Sequence, residues 1–269
     1  MINLSEEEIR EKLKNIEAFV LDQDGTLYLE YQSFPWTVDF LKGLDQRGIR
    51  YLFISNNSSK SVDEHVKKLS DLGIPAKREQ ILSSSEATIE YLKSLKDSKD
   101  IYLLATPSVE QDFRNAGFNI DAVKPNYVVL AYDLTFTFEK LDKASRYVRN
   151  GVPFIATHED NNWMIAPNDH RPDVGALAAA ITASTKVKPK FIGKPNIETI
   201  NSFLCRLNLT KDKVAIMGDR LNTDIRMGQE NDILTFLVLS GKTKAHELET
   251  SPYQPSFVLE KSIDVLKYI

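Results

Sequence analysis

The feature that most constrains this chain is a switch of hydrophobic period, repeated from end to end. Short runs that are apolar at every position alternate with stretches that are apolar at every third or fourth position. The first kind suits a strand covered on both faces, the second an amphipathic helix. Their alternation is the pattern of βα units around a mostly parallel sheet. Ala18-Phe19-Val20-Leu21, Tyr51-Leu52-Phe53-Ile54, Val214-Ala215-Ile216-Met217 and Phe236-Leu237-Val238-Leu239 are the clearest strands. Residues 101–105, 127–131 and 153–156 continue the series, with helices expected over 84–95, 108–115, 138–149 and 173–184. Ser5 with Glu8, and Ser61 with Glu64, have the spacing of capping boxes that open helices.

At 269 residues the chain is near the size, about 250–300 residues, at which one core tends to split. No long low-complexity linker interrupts it, so a second domain would arise by insertion rather than by tandem joining. The formal net charge of -4 argues against a nonspecific nucleic-acid coat, which needs a basic face. The single cysteine, Cys205, excludes an intrachain disulfide and disfavours a thiolate metal centre. Its place in a run with Ile197, Ile200 and Leu204 reads as packing. The acidic start of the sequence lacks a leader-like apolar stretch, and no apolar run approaches the ~20 residues that cross a bilayer. The expectation is a cytoplasmic protein with no membrane partner.

The chemistry is concentrated at strand ends. Asp22-Gln23-Asp24-Gly25-Thr26 leaves the first strand, and ligand crevices of open α/β sheets lie at the carboxyl ends of strands. Two carboxylates two residues apart can both be turned into such a crevice; an acidic turn is the plain alternative. Ser55-Asn56-Asn57-Ser58 follows the second strand, as a phosphate-binding loop or as a polar loop bonded to itself. Gly218-Asp219-Arg220-Leu221-Asn222-Thr223-Asp224 again brings acids off the end of a buried strand. Lys194 precedes Pro195 and Asn196, and a lysine there is ordinarily a solvated surface residue.

Charge separates these readings. If Asp22, Asp219 and Asp224 converge, three negative charges meet before any substrate arrives, and such a cluster needs cations. One Mg²⁺ with Lys194 balances it. Oxygen donors without clustered His or Cys favour a hard cation bound together with substrate phosphate.

Taken together and in this order, DQDGT at 22–26, Ser55-Asn56, Lys194-Pro195 and GDRLNTD at 218–224 resemble the haloacid dehalogenase superfamily of phosphohydrolases. About a hundred residues between Ser55-Asn56 and Lys194 exceed what one helix needs, as in the subclass with a large α/β cap. Tyr132-Asp133, Phe154 to Asp160, Gly193 to Asn196 and Val238 to Thr243 are similar to the NagD-like, p-nitrophenylphosphatase group. The resemblance implies an α/β fold with a Rossmann-like parallel-sheet core at 1–83 and 188–269 and an inserted α/β cap at 84–187.

The resemblance also implies a two-step phosphoric monoester hydrolysis of a sugar phosphate or nucleoside monophosphate. Asp22 would be the nucleophile that forms an aspartyl-phosphate, and Asp24 the general acid and then base. Mg²⁺ would be held by Asp22, the Asp24 carbonyl and Asp219. Asp224 would support the ion or its waters, or pair with Lys194. Ser55, Asn56 and Lys194 would hold the phosphoryl oxygens, and His158 and Asp160 in the cap would meet substrate. A homodimer is compatible with the group. Asp24 two residues after the nucleophile points to phosphate esters rather than to dehalogenation. A phosphotransferase or mutase, or a regulatory module that binds phosphate without turnover, are the competing classes. A module that had lost turnover would be expected to lack some of Asp22, Asp24, Lys194 and Asp219, which are all present.

Other motifs carry less. Ser240-Gly241-Lys242-Thr243 mimics a P-loop tail, but the glycine required five residues before Gly241 is Phe236. His65, His170 and His246 have no metal-ligand spacing, and Trp163 suits either the cap core or a cap cleft.

Overall fold

The computed structural model describes residues 5–166 and 169–269. The acidic start read above as leaderless falls partly on residues 1–4, outside the described residues. The chain divides into two compact units: Met1–Ser55, Val66–Leu82 and Ile200–Ile269 form one, Asn56–His65 and Ser83–Thr199 the other. The span 84–187 expected as a cap lies within the second unit, which also takes in 56–65 and 188–199.

The first unit is organised by a six-stranded sheet in the order Phe257–Leu259, Leu234–Val238, Val214–Gly218, Ala18–Asp22, Arg50–Ser55, Ile81–Ser83. Ala18–Asp22 pairs in parallel with both Val214–Gly218 and Arg50–Ser55, and Leu234–Val238 pairs in parallel with Val214–Gly218 and Phe257–Leu259. Ala18–Asp22 and Val214–Gly218 are buried at all five positions, which is why their sequences show no polar alternation. Phe236 links three strands, its ring centroid 5.9 Å from that of Phe19 and 6.3 Å from that of Phe257. The first helix, Glu6–Leu13, opens on the expected capping box: Glu8 N donates to Ser5 Oγ and Ser5 N to the Glu8 carboxylate. Thr37–Gln46 buries Phe40, Leu41 and Leu44. A Cβ on its Gly43 would meet the tip of the Leu266 side chain, which packs on this helix.

The second unit has its own parallel sheet, in the order Lys190–Phe191, Phe154–Ala156, Tyr127–Leu130, Ile101–Leu104. The helices Phe138–Arg149 and Val174–Thr185 supply Ala144, Val148, Ala178 and Ile181 to a core shared with Leu104, Val128, Leu130 and Ala156. Trp163 packs on this cluster with its ring edge-on to Tyr132, 6.2 Å between centroids, so it belongs to the core of this unit. The second capping box also forms: Ser61 N donates to Glu64 Oε2 at 2.8 Å and Glu64 N to Ser61 Oγ at 3.2 Å.

The α/β reading with parallel sheets holds. Two small antiparallel pairs, Tyr28–Leu29 with Gln32–Ser33 and Asn162–Ala166 with Asp169–Pro172, depart from it. The short strands Ile81–Ser83, Lys190–Phe191 and Phe257–Leu259 were also not anticipated. Two or three residues carry no measurable period, and only their pairing with a distant neighbour makes them strands. Leu234–Val238 begins two residues earlier than its apolar run, because Thr235 is buried. Thr235 N donates to Ser256 Oγ, which also lies 3.3 Å from the Thr235 hydroxyl. Among the described residues, no helix is long and apolar enough to cross a membrane.

Candidate active site

In the first unit, strand register does most of the gathering. Leu21 lies beside Met217 and Asp22 beside Ile54, so Asp22, Asp219 and Ser55 leave three neighbouring strands at the same sheet edge. Asp224 joins them from a single π-helical turn, Leu221–Ile225, directly after Asp219; such turns are frequent at functional sites. One carboxylate oxygen from each of Asp22, Asp219 and Asp224 lies within 4.8 Å of the others. All three residues are buried, at 7, 2 and 0 % exposure. Unit charges about 4 Å apart repel by about 4 kcal/mol at an effective dielectric near 20, so three of them call for a cation. The donor set is oxygen only, as a hard divalent ion prefers, and the residues present fit Mg²⁺.

Backbone presses tightly on these carboxylates. A Cβ on Gly25, whose φ is +84°, or on Gly241 would overlap Asp219 Oδ2, and one on Gly218 would overlap the Asp224 carboxylate. Lys242 N donates to Asp219 Oδ2 at 2.6 Å, Thr243 N to the Asp219 carbonyl at 3.2 Å, and Ser240 Oγ to the Gly25 carbonyl at 2.8 Å. The segment 240–243, which fails as a P-loop, thus lies against Asp219 and ties it to the 22–26 loop. Sequence reasoning assigned it no part in the site. Its signal was the Ser-Gly pair directly after a strand end, beside the other strand ends that carry acids.

Asp24 is half-buried in the loop that returns to Tyr28, where Gly25 N donates to the Tyr28 carbonyl at 2.7 Å. Tyr28 is 3 % exposed, and its hydroxyl donates to Gln23 Oε1 at 3.4 Å. Burial pushes the Tyr28 phenol well above its ordinary range, with the charges of Asp24 and Asp22 adding to the effect. The Lys68 ammonium sits over its ring, 4.1 Å from the centroid.

The second unit holds Asn56, Lys194, Asp160 and His158. Lys194 is 4 % exposed and is followed by a cis peptide bond to Pro195. The Asn56 carboxamide accepts from Lys194 N at 2.9 Å and donates to the Lys194 carbonyl at 3.1 Å and to Asp160 Oδ2 at 2.9 Å. His158, expected at the substrate, is 1 % exposed. Its Nε2 lies 2.9 Å from Asp173 Oδ1, and its Nδ1 faces the hydroxyls of Thr157, Ser84 and Ser58 at 3.2, 3.4 and 3.5 Å. Asp173, which caps the helix Val174–Thr185, was missed as a partner because nothing local pairs positions 158 and 173.

A buried carboxylate triad at the carboxyl edge of a parallel sheet, beside an Asp-x-Asp loop, is a set of oxygens that could hold a metal ion at the ligand crevice of an α/β fold. Residues 19–119 match the haloacid dehalogenase-like hydrolase family, and residues 191–265 match a HAD-hydrolase-like family. An acid sugar phosphatase of Staphylococcus saprophyticus is 32 % identical over 95 % of this chain and 98 % of its own. The 5'-nucleotidase YutF of Bacillus subtilis is 29 % identical over 96 % of this chain and 100 % of its own. The crystal structure of a 4-nitrophenylphosphatase from Thermotoga maritima superposes with a TM-score of 0.90 at 36 % identity, covering 96 % of this chain and 98 % of that one. NagD from Escherichia coli gives a TM-score of 0.86 at 26 % identity, covering 93 % of this chain and 98 % of that one. The chain belongs to the haloacid dehalogenase superfamily, within its NagD-like group of phosphatases.

Proposed function

We propose that this protein is a Mg²⁺-dependent phosphomonoesterase for a small phosphorylated metabolite, a sugar phosphate or a nucleoside monophosphate. The observation that carries the reading is the convergence of Asp22, Asp219 and Asp224 oxygens within 4.8 Å, with Asp24 two residues from Asp22. The relatives named for sugar phosphates and for 5'-nucleotides support the substrate class.

In the first step the Asp22 carboxylate attacks phosphorus. The ester P–O bond breaks, an aspartyl-phosphate forms, and Asp24 gives its proton to the leaving alcohol oxygen. In the second step water attacks the same phosphorus, Asp24 takes the proton back, and inorganic phosphate leaves with Asp22 restored. Ser55, the main-chain N–H of Asn56 and the Lys194 ammonium hold the phosphoryl oxygens, where charge builds in the transition state. A Mg²⁺ ion held by Asp22, Asp219, Asp224 and the Asp24 carbonyl would offset the repulsion between carboxylate nucleophile and phosphate dianion. The segment 84–187 would serve as the cap, with its loop 157–161, which carries Asp160, meeting substrate.

The test is hydrolysis of p-nitrophenyl phosphate by purified protein, with and without Mg²⁺. We expect turnover that needs the ion, is lost on chelation, and falls by at least about a thousandfold in Asp22→Asn. Equal rates in the wild type and Asp22→Asn would reject the covalent route. Capture of the phosphoryl group by added glycerol in preference to water would instead identify a phosphotransferase.

A further inference from the structure

We propose that the Asn56 carboxamide is a clamp that positions Lys194, and that Asp160 locks the clamp. The inference deepens the proposed function and rests on Lys194 being the cation that holds the phosphoryl group. It separates two roles within one residue: the main-chain N–H of Asn56 is the group assigned to phosphate in the proposed function, and its side chain serves the lysine.

The amide is fully committed. Its oxygen accepts from Lys194 N at 2.9 Å, and its nitrogen uses both hydrogens, one to the Lys194 carbonyl at 3.1 Å and one to Asp160 Oδ2 at 2.9 Å. Only one orientation satisfies all three. A flipped amide would set N–H against the Lys194 N–H and an oxygen against two acceptors. The bond to Asp160 is charge-assisted, so it is the strongest single term fixing that orientation. Gly193 lets the clamp close, because a Cβ there would stand 2.7 Å from Asn56 Oδ1 and 2.6 Å from the Thr157 carbonyl.

The lock is itself anchored on both sides. Gly175 N donates to the Asp160 carbonyl at 2.8 Å, and Asp173 N to the Asn161 carbonyl at 2.9 Å. The buried His158–Asp173 pair fastens the start of the same loop. Behind Asn56, Ser84 Oγ donates to its carbonyl at 2.7 Å. A lysine owes its direction to its main chain and to the packing around its stem. Holding both main-chain polar groups of Lys194, itself 4 % exposed, sets the line along which the ammonium leaves the backbone. Misplacing a catalytic group by about 1 Å can cost about a hundredfold in rate.

A double-mutant cycle on the full chain tests this. Asn56→Ala is expected to lower kcat/KM for p-nitrophenyl phosphate with Mg²⁺ by about a hundredfold. In a Lys194→Met background the same change should cost less than about twofold, because the group it positions is gone. A side chain that binds phosphate directly would cost the same factor in both backgrounds, and that result overturns the proposal. Calorimetric binding of inorganic phosphate with Mg²⁺ gives the same cycle without turnover. Asp160→Asn, which removes the charge and keeps the shape, is the milder second variant. It should give a smaller loss that also vanishes with Lys194→Met, and it decides the matter if Asn56→Ala does not fold. Amide exchange at Lys194 should accelerate in Asn56→Ala, and unchanged protection counts against the clamp. If Lys194→Met alone keeps wild-type activity, the assigned role of Lys194 fails, a result distinct from an additive cycle.

Discussion

At the scale of single residues, the site depends on absent side chains as much as on present ones. Gly25 and Gly241 both lie against the Asp219 carboxylate, and neither position has room for a Cβ. Gly241→Ala should therefore push the Asp219 carboxylate away from Asp22 and Asp224. Changes of this kind beside a metal ligand cost about 10–100-fold in metal affinity. The expected outcome is at least about a tenfold rise in the Mg²⁺ concentration giving half-maximal phosphatase activity. An unchanged Mg²⁺ titration would show that Asp219 does not define the ion's place. Residues 22–26 were legible in the sequence because their signal is local: an acid pair and a glycine after an apolar run. Gly241 was not, since its partner lies 22 positions earlier and only folding brings the two together. The same holds for Asn56, whose residue type suggested a ligand while its neighbours make it a holder of main chain.

At the scale of elements, burial on both faces made the central strands readable and left the edges obscure. Ala18–Asp22, apolar up to its last residue, and Val214–Gly218, apolar throughout, are buried at every position. Ile81–Ser83, Lys190–Phe191 and Phe257–Leu259 are too short to show a pattern, and their identity rests on ladders made with residues far along the chain. Phe236, fully buried between Phe19 and Phe257, is where several strands share one packing term. Truncating such a phenylalanine costs about 3–5 kcal/mol. Phe236→Ala should lower the unfolding free energy obtained from the urea transition by that amount. A change below about 1 kcal/mol would mean that the sheet repacks freely around the gap.

At the scale of the whole molecule, burial suppresses the ionisation of four tyrosines. Burial is the leading cause in raising the phenols of Tyr28, Tyr51, Tyr102 and Tyr132, with Tyr102 reaching about 12. An unfolded tyrosine releases its proton near pH ~10. Above that point the unfolded chain binds fewer protons than the folded one, so stability falls as pH climbs. The midpoint of thermal unfolding should be flat with respect to these groups below pH ~9 and drop steeply from there to pH ~12. Tyr102→Phe should flatten part of that fall. A drop of unaltered slope in the variant would assign alkaline unfolding to other groups.

The interleaving of the six-stranded sheet bears on how the protein is made. Ala18–Asp22 is seated between Arg50–Ser55 and Val214–Gly218, so its two neighbours leave the ribosome far apart in time. A nascent polypeptide released prematurely at residue 200 would already carry the DQDGT loop, but not Asp219 or Asp224. Such a truncated translation product carries one of the three converging carboxylates, and the triad is complete only after the last quarter of synthesis.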